Sequence, residues 1–265
     1  IIEKNEKLNL RDVELFRVYI GDGVELDGWK IYPPDFDESK KYPVLFHVYG
    51  EPGSQKVLDK WLRRYHWHQL LAQKGYIIIC LDNRGVPAPR GREFRKSIYG
   101  QVGILASSDQ ADATKVITNW KYVDKERIGI WGWSGGGSMS LNAIFRYPKI
   151  YKTAIAVAPV GDQRLYDTIY QERYMGLPSN NPDGYKYGSP VTYAHQLEGN
   201  LLLIHGTGDD NVHYQNTEIL INELVKHNKL FSIMPYPNRS HGINEGLNTR
   251  RHVYETMLNF IIKNL

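Results

Sequence analysis

Strand-like apolar runs alternate with helix-like segments along most of this 265-residue chain, and this alternation restricts its fold more than any other feature. The runs have the β-branched and aromatic content of buried strands: PVLFHVY (43–49), YIIICLD (76–82), RIGIWGW (127–133), TAIAVAPV (153–160), NLLLIHG (200–206) and LFSIMPY (230–236). Helix candidates lie at about 55–74, 108–121, 136–147, 213–227 and 250–264. This order predicts an α/β fold, with a mostly parallel central sheet and helices on both faces.

The N-terminal part of the chain has the pattern of a hairpin. The segments VELFRVYI and VELDGWKIY flank the turn Gly21-Asp22-Gly23, and glycine-bearing turns between such segments are typical of paired strands. The chain starts with Ile1 rather than Met. We expect residues 1–12 to be a linker or the end of a preceding domain, and residues 13–265 to form one globular domain.

Composition excludes several classes of function. The net charge of +4 comes from scattered Lys and Arg rather than from a basic stripe, which argues against nucleic-acid binding, and no apolar stretch is long enough for a membrane span. The spacing of His66 and His68 does not match a zinc-binding pair on a helix. The single cysteine, Cys80, lies inside an apolar run, where a buried side chain is expected. Neither a metal nor a cofactor is expected.

The stretch WGWSGGG places Ser134 where a predicted strand ends and a predicted helix begins. A serine in a glycine-rich turn can be merely a small residue, and the G-x-S-x-G pattern of Gly132, Ser134 and Gly136 is short. The strand-to-helix context is that of a nucleophile elbow, in which a sharp turn exposes the serine hydroxyl. The context therefore favours Ser134 as a nucleophile.

A serine nucleophile needs a base and a carboxylate, which follow it in the order Asp and then His in an α/β-hydrolase. The loops HGTGDDN (205–211) and NRSHGI (238–243) each follow a predicted strand in that order. We assign Asp209 as the carboxylate and His241 as the base. Asp210 is expected to cap a helix beginning near Val212 or to brace the loop. His47 and His205, which lie in apolar runs, are expected to be structural.

The segments GWSGGG, VAPVGDQRLYDTIYQERYMGLP, LLLIHGTGDDNVHYQN and SHGI, together with KKYPVLFHVYGEPGSQ, carry a family resemblance. From about residue 13 to the C-terminus the chain resembles the catalytic domain of the prolyl oligopeptidase family of serine peptidases, and its dipeptidyl peptidase IV-like branch in particular. The resemblance implies an α/β-hydrolase fold with Ser134 as nucleophile, His241 as base and acid, and Asp209 orienting the histidine. It also implies an oxyanion hole formed by the Tyr49 hydroxyl and the Gly135 backbone N–H.

The same resemblance implies which residues bind the substrate. A small apolar pocket accepts proline or alanine before the scissile bond, and Asn211 binds the carbonyl of the preceding residue. The pocket positions correspond here to Val160, Tyr166, Tyr170 and Val212. The branch usually carries tyrosine directly after the serine and tryptophan three residues beyond the first pocket valine, where this chain has Gly135 and Gln163. The pocket is expected to be wider, more polar, or closed by other residues.

The resemblance also implies partners that the chain does not encode. Members carry an N-terminal β-propeller whose acidic residues hold the free amino end of a peptide substrate; they can form homodimers and are often periplasmic, secreted or held at the surface. The expected reaction is removal of N-terminal dipeptides after Pro or Ala. The alternatives are an acylaminoacyl peptidase or oligopeptidase of the same family, a carboxylesterase, and a catalytically silent interaction domain.

Overall fold

The computed structural model describes residues 9–61 and 64–265. In these ranges one sheet has the strand order β1-β2-β4-β3-β5-β6-β7-β8. The strands are β1 (Glu14–Gly21), β2 (Val24–Ile31), β3 (Tyr42–His47), β4 (Ile77–Asp82), β5 (Val123–Trp133), β6 (Thr153–Val157), β7 (Asn200–Gly206) and β8 (Ser232–Tyr236). β1 and β2 pair as the predicted antiparallel hairpin, β2 pairs antiparallel with β4, and the pairs from β4 to β8 are parallel.

The helices of the described residues are α1 (Tyr65–Gln73), α2 (Gly91–Lys96), α3 (Leu105–Ile117), α4 (Gly135–Arg146), α5 (Thr168–Met175), α6 (Pro182–Gly188), α7 (Gln215–Lys226) and α8 (Thr249–Asn264). Short 3₁₀ helices cover Gln163–Leu165 and Pro190–Gln196. None of these helices is both long and apolar enough to cross a bilayer. The strand order and helix placement confirm the predicted α/β-hydrolase fold.

Side chains alternate between two cores along the parallel strands, because successive residues of a strand point to opposite faces of the sheet. Val44, Phe46 and Ile130 belong to one core, whereas Leu45 and Trp131 belong to the other. Cys80 is fully buried in the second core, as its apolar run predicts. Both faces are therefore covered, and the polar groups of the site lie in loops at the carboxyl ends of the strands.

The helix predicted at about 55–74 is wrong in its first part. The described part of that segment before Tyr65 is irregular, and residues 62–63 lie outside the described residues. The buried carboxylate of Asp82 accepts hydrogen bonds from the backbone N–H groups of Lys56 (2.9 Å) and Val57 (2.8 Å). These bonds hold the segment against the end of β4 in a non-helical path.

The predicted boundary between residues 1–12 and 13–265 falls partly on residues 1–8, which lie outside the described residues. The division into a linker and a catalytic domain stays a prediction.

Candidate active site

The turn between β5 and α4 has the strained geometry of a nucleophile elbow. Ser134 adopts φ 60° and ψ −124°, an unfavourable conformation for a residue with a side chain. A β-carbon at Gly132 would overlap with the backbone of Gly136, and one at Gly136 would overlap with the carbonyl oxygen of Val48. Glycine at both positions therefore lets the chain turn sharply enough to present the Ser134 side chain at the end of the sheet.

The loops after β7 and β8 are joined by backbone hydrogen bonds and bring Asp209 and His241 together. The Gly208 N–H donates to the Arg239 carbonyl at 3.1 Å. His241 Nδ1 lies 2.7 Å from Asp209 Oδ2 and donates to it, which leaves Nε2 as the nitrogen free to take a proton. The indole N–H of Trp133, next to Ser134, donates to the His241 carbonyl at 2.9 Å.

The carboxylate of Asp209 is held by donors on both oxygens. Oδ1 accepts from the backbone N–H groups of Asn211 (3.0 Å) and Val212 (2.9 Å), and Oδ2 accepts from His205 Nε2 (3.1 Å) as well as from His241. Burial by itself raises the pKa of Asp209, but these hydrogen bonds outweigh it and hold the pKa well below its usual range. Asp209 therefore remains ionised.

His205 is a supporting residue whose contact with the acid was not predicted. Its ring is fully buried, and Nε2 faces two acceptors, Asp209 Oδ2 and the Val212 carbonyl (2.8 Å). Nδ1 lies 2.7 Å from the Thr217 hydroxyl, which donates to it. The structural role predicted for His205 is thus one of fixing Asp209. Its place in the apolar run NLLLIHG carries no signal for this contact.

Asp210 does not have the capping role predicted for it. Helix α7 begins at Gln215 with no side-chain cap, and Asp210 is exposed without a hydrogen bond to any described residue. Asp209 braces this loop instead, through the N–H groups of Asn211 and Val212. The prediction is wrong because the loop closes on the carboxylate that also holds His241.

Ser134, His241 and Tyr49 line one cavity of about 390 Å³, together with Trp133, Tyr166 and Asn211. Burial raises the pKa of Tyr49 far above its ordinary value, and the nearby Glu51 carboxylate raises it further, while contact with the Ser134 side chain acts in the opposite direction. Tyr49 is therefore a neutral hydroxyl donor beside Ser134. Gly135 is the first residue of α4, where backbone N–H groups lack partners within the helix. Both proposed oxyanion donors lie next to Ser134.

Replacing Tyr49 with phenylalanine should cost about 2.7–4 kcal/mol of transition-state stabilisation, because one donor to the developing oxyanion is removed. We expect kcat to fall with little change in KM. Tyr254→Phe is the matched control, since Tyr254 lines the same cavity. A loss confined to KM would show that Tyr49 is a wall of the pocket rather than an oxyanion donor.

Of the predicted substrate-binding residues, Tyr166 and Asn211 line the same cavity, whereas Val160, Tyr170 and Val212 do not. Val160 and Val212 are buried, and the rings of Tyr166 and Tyr170 pack edge to face with centroids 5.5 Å apart. The Tyr166 hydroxyl donates to the side-chain oxygen of Asn211 at 3.1 Å. This bond fixes the orientation of the Asn211 amide, whose side-chain N–H groups donate to none of the described residues.

Gln163 does not make the pocket more polar. Its side chain is buried, its oxygen accepts from Gln171 Nε2 at 2.6 Å, and its amide nitrogen donates to the Gly188 carbonyl at 3.3 Å. Because the amide is buried and both of its ends have partners within the protein, Gln163 does not present a polar group to the cavity. The polar group that sequence reasoning missed in this region is Glu51, which lies against Gly135.

A metal site has no support in the described ranges, where no group of three or more His, Cys, Asp or Glu side chains is arranged to bind an ion. The fold and this cluster of serine, histidine and aspartate define the chain as an α/β-hydrolase with a serine-hydrolase type of site.

Residues 63–265 match the model of the prolyl oligopeptidase family, so the chain belongs to that family. It is 39% identical to "Prolyl endopeptidase FAP" of Mus musculus over 98% of the chain, and 42% identical to "Probable dipeptidyl-aminopeptidase B" of Arthroderma gypseum over 83%. These matches cover 35% and 25% of the relatives. The crystal structure of Porphyromonas gingivalis dipeptidyl peptidase 4 superposes with a TM-score of 0.94 at 43% identity, covering 98% of this chain and 37% of that one.

Proposed function

We propose that this chain is the catalytic domain of a serine peptidase that removes N-terminal dipeptides after proline or alanine through an acyl-enzyme. The observation that carries the proposal is the hydrogen bond between buried Asp209 and His241, whose side chain lines the same cavity as the elbow serine, Ser134. The relatives of this family named as dipeptidyl-aminopeptidases and dipeptidyl peptidase support the choice of reaction.

Acylation begins when Ser134 Oγ attacks the carbonyl carbon of the residue before the scissile bond, which we call the P1 residue. The serine proton passes to His241 Nε2, and the charged imidazole is stabilised by Asp209. The carbonyl oxygen becomes an oxyanion that accepts hydrogen bonds from the Tyr49 hydroxyl and the Gly135 N–H. His241 then gives its proton to the leaving amine as the carbon–nitrogen bond breaks.

Deacylation repeats these steps with water in place of the serine. His241 takes a proton from the water, which attacks the ester carbon, and returns a proton to Ser134 Oγ as the ester bond breaks. Asn211, held by Tyr166, binds the carbonyl of the residue before P1 throughout. The reaction releases the dipeptide and regenerates the free serine.

We assign the recognition of the substrate's free amino end to a region of the longer protein outside these 265 residues. The chain spans between a quarter and about two fifths of the relatives that it matches. We propose that residues 1–12 connect the catalytic domain to a preceding β-propeller whose carboxylates bind the substrate ammonium. Residues 13–265 would then carry out acylation and deacylation, and the selection of substrates with a free amino end would require the longer protein.

This division predicts different substrate preferences for the chain and for the longer protein. We expect the longer protein to prefer a free X-Pro substrate over its N-acetylated form by at least about tenfold in kcat/KM, because a carboxylate clamp would be left unpaired by the acetylated form. In the 265-residue chain that ratio should approach one, while a fluorophosphonate still labels Ser134. A steep preference retained by the chain would place the clamp within it.

A further inference from the structure

Glu51 lies in the space beside the residue that follows the nucleophile. A β-carbon at Gly135 would overlap with Oε2 of Glu51, so the carboxylate occupies the position that a side chain at residue 135 would take. Glu51 Oε2 is also 3.2 Å from the hydroxyl of Tyr170, whose ring packs against Tyr166 at the cavity. The carboxylate therefore lies beside Gly135, the residue that follows Ser134, and beside Tyr170, one of the residues of the proposed P1 pocket.

The carboxylate of Glu51 is buried, and no cation among the described residues pairs with it. Its residue is 6% exposed, and within residues 9–61 and 64–265 no Lys, Arg or His side chain forms an ion pair with it. Burial raises its pKa to about 7, and the hydrogen bond with Tyr170 lowers the pKa only in part. A buried carboxylate in this state is costly unless a donor or a positive charge reaches it.

The hydroxyl of Tyr170 does not fully satisfy the hydrogen-bonding capacity of the Glu51 carboxylate, because a phenol has only one proton to donate. The Tyr170 hydroxyl lies 2.8 Å from the Pro52 carbonyl, closer than its 3.2 Å distance from Glu51. The shorter bond takes the larger share of that proton. Oε1 of Glu51 makes no hydrogen bond with the described residues. The carboxylate therefore retains capacity for a further donor.

The P1 side chain of the substrate decides whether the Glu51 carboxylate receives a further hydrogen bond. A proline ring fills the pocket with CH₂ groups and excludes water, which would leave the carboxylate buried with one shared donor. An alanine leaves room for a water molecule beside Glu51. An aliphatic side chain that ends in an ammonium brings both a donor and the missing positive charge, and buried charge pairs of this kind discriminate strongly against neutral analogues.

We propose that Glu51 is a specificity-determining residue that makes the P1 pocket favour side chains ending in an ammonium, such as ornithine or lysine, over proline. The inference rests on the proposed function, because the pocket is that of the proposed peptidase. It keeps the reaction of that peptidase but changes the P1 preference proposed above, placing ammonium-bearing P1 residues first, alanine next and proline last. Tyr166 and Tyr170 flank the methylene groups of such a side chain.

The test measures labelling of Ser134 in the full-length protein by diphenyl phosphonates that carry different P1 side chains. The matched pair is lysine and norleucine, which have chains of similar length with and without the ammonium; ornithine, proline and alanine complete the series. Each probe is made with a free glycine before P1 and with the same glycine acetylated. The readout is the second-order rate constant of labelling.

The wild-type protein should react with the lysine probe at least about tenfold faster than with the norleucine probe. Glu51→Gln should bring this ratio close to one, because the amide no longer supplies a negative charge for the ammonium. Glu198→Gln is the control for the substitution itself, because Glu198 is an exposed partner of Lys149 far along the chain from this pocket. Glu51→Asp keeps the charge but withdraws the carboxylate by one methylene, so it should favour lysine over ornithine more than the wild type does.

Two results would overturn the proposal. One is a ratio of lysine to norleucine that Glu51→Gln leaves unchanged. The other is a Glu51→Gln variant that alters the ratio of free to acetylated probes, since Glu51 would then bind the substrate's α-ammonium. The two series separate this inference from the proposed function: equal labelling by free and acetylated probes would refute dipeptide selection, while the P1 ratio within either series would still decide the role of Glu51.

Discussion

Ser134→Ala and His241→Ala should each lower turnover by about a millionfold, because nucleophile and base act as one unit and neither accelerates the reaction without the other. The hydrogen bond to Asp209 keeps a proton on Nδ1 of His241, so Nε2 is the nitrogen that can accept the serine proton. Alanine at position 241 removes this base. Both variants should also lose covalent labelling by a fluorophosphonate. The measurements are labelling and the hydrolysis rate of a small activated ester, followed beside the thermal unfolding midpoint.

Two controls separate loss of chemistry from loss of structure. Ser140→Ala removes a hydroxyl from the same helix, where it donates to the Gly136 carbonyl at 2.8 Å, and should retain most activity. His213→Ala removes an exposed imidazole from the loop that carries Asp209 and should have little effect. Measurable turnover by His241→Ala at an unchanged unfolding midpoint would refute the assignment of the base.

Asp209→Asn should lower kcat by about ten-thousandfold, because an amide presents a donor where the structure requires acceptors. Both oxygens of Asp209 face N–H groups: two from the backbone and two from histidines. Whichever way the amide is turned, its NH₂ group meets two donors. His241 can relieve the clash by taking the opposite tautomer, which places a proton on Nε2 and removes the base.

Asp210→Asn is the matched control for this change. Asp210 is adjacent in sequence, exposed, and free of hydrogen bonds to the described residues, so its replacement should alter kcat by less than about threefold. The comparison uses kcat at saturating substrate on the same peptide. A larger loss of kcat in Asp210→Asn than in Asp209→Asn would show that Asp210, rather than Asp209, is the catalytic carboxylate.

The elbow and the order of the catalytic loops could be predicted because their signals are local. Ser134 is surrounded by glycines that only a tight strand-to-helix turn requires, and Asp209 and His241 each follow a strand whose apolar run is visible in the sequence. Parallel strands share one edge for their carboxyl ends, so the α/β pattern already places these loops together. The same pattern does not predict the distances between the side chains of these loops.

The contacts of Asp82 and Glu51 could not be predicted, because each joins residues far apart in the chain. The contact between His205 and Asp209 spans only four residues, but it depends on how the turn after β7 folds. Asp82 holds the backbone at Lys56 and Val57 and prevents a helix that the local pattern favours. His205 reaches Asp209 across a turn from inside a buried strand. Neither the apolar run around His205 nor the turn-like stretch around Glu51 carries a periodic signal for these partners.

The α/β-hydrolase fold, the nucleophile turn and the order of the candidate acid and base can be predicted from the amino-acid sequence, because hydrophobic periodicity and glycine-rich turns act over a few residues. The position of Glu51 beside Gly135, and the hydrogen bonds of Gln163 with Gln171 and Gly188, become visible only in the folded chain. Which side chain fills a space depends on the packing of several distant segments at once. The chemistry of the pocket wall is therefore a property of the folded chain.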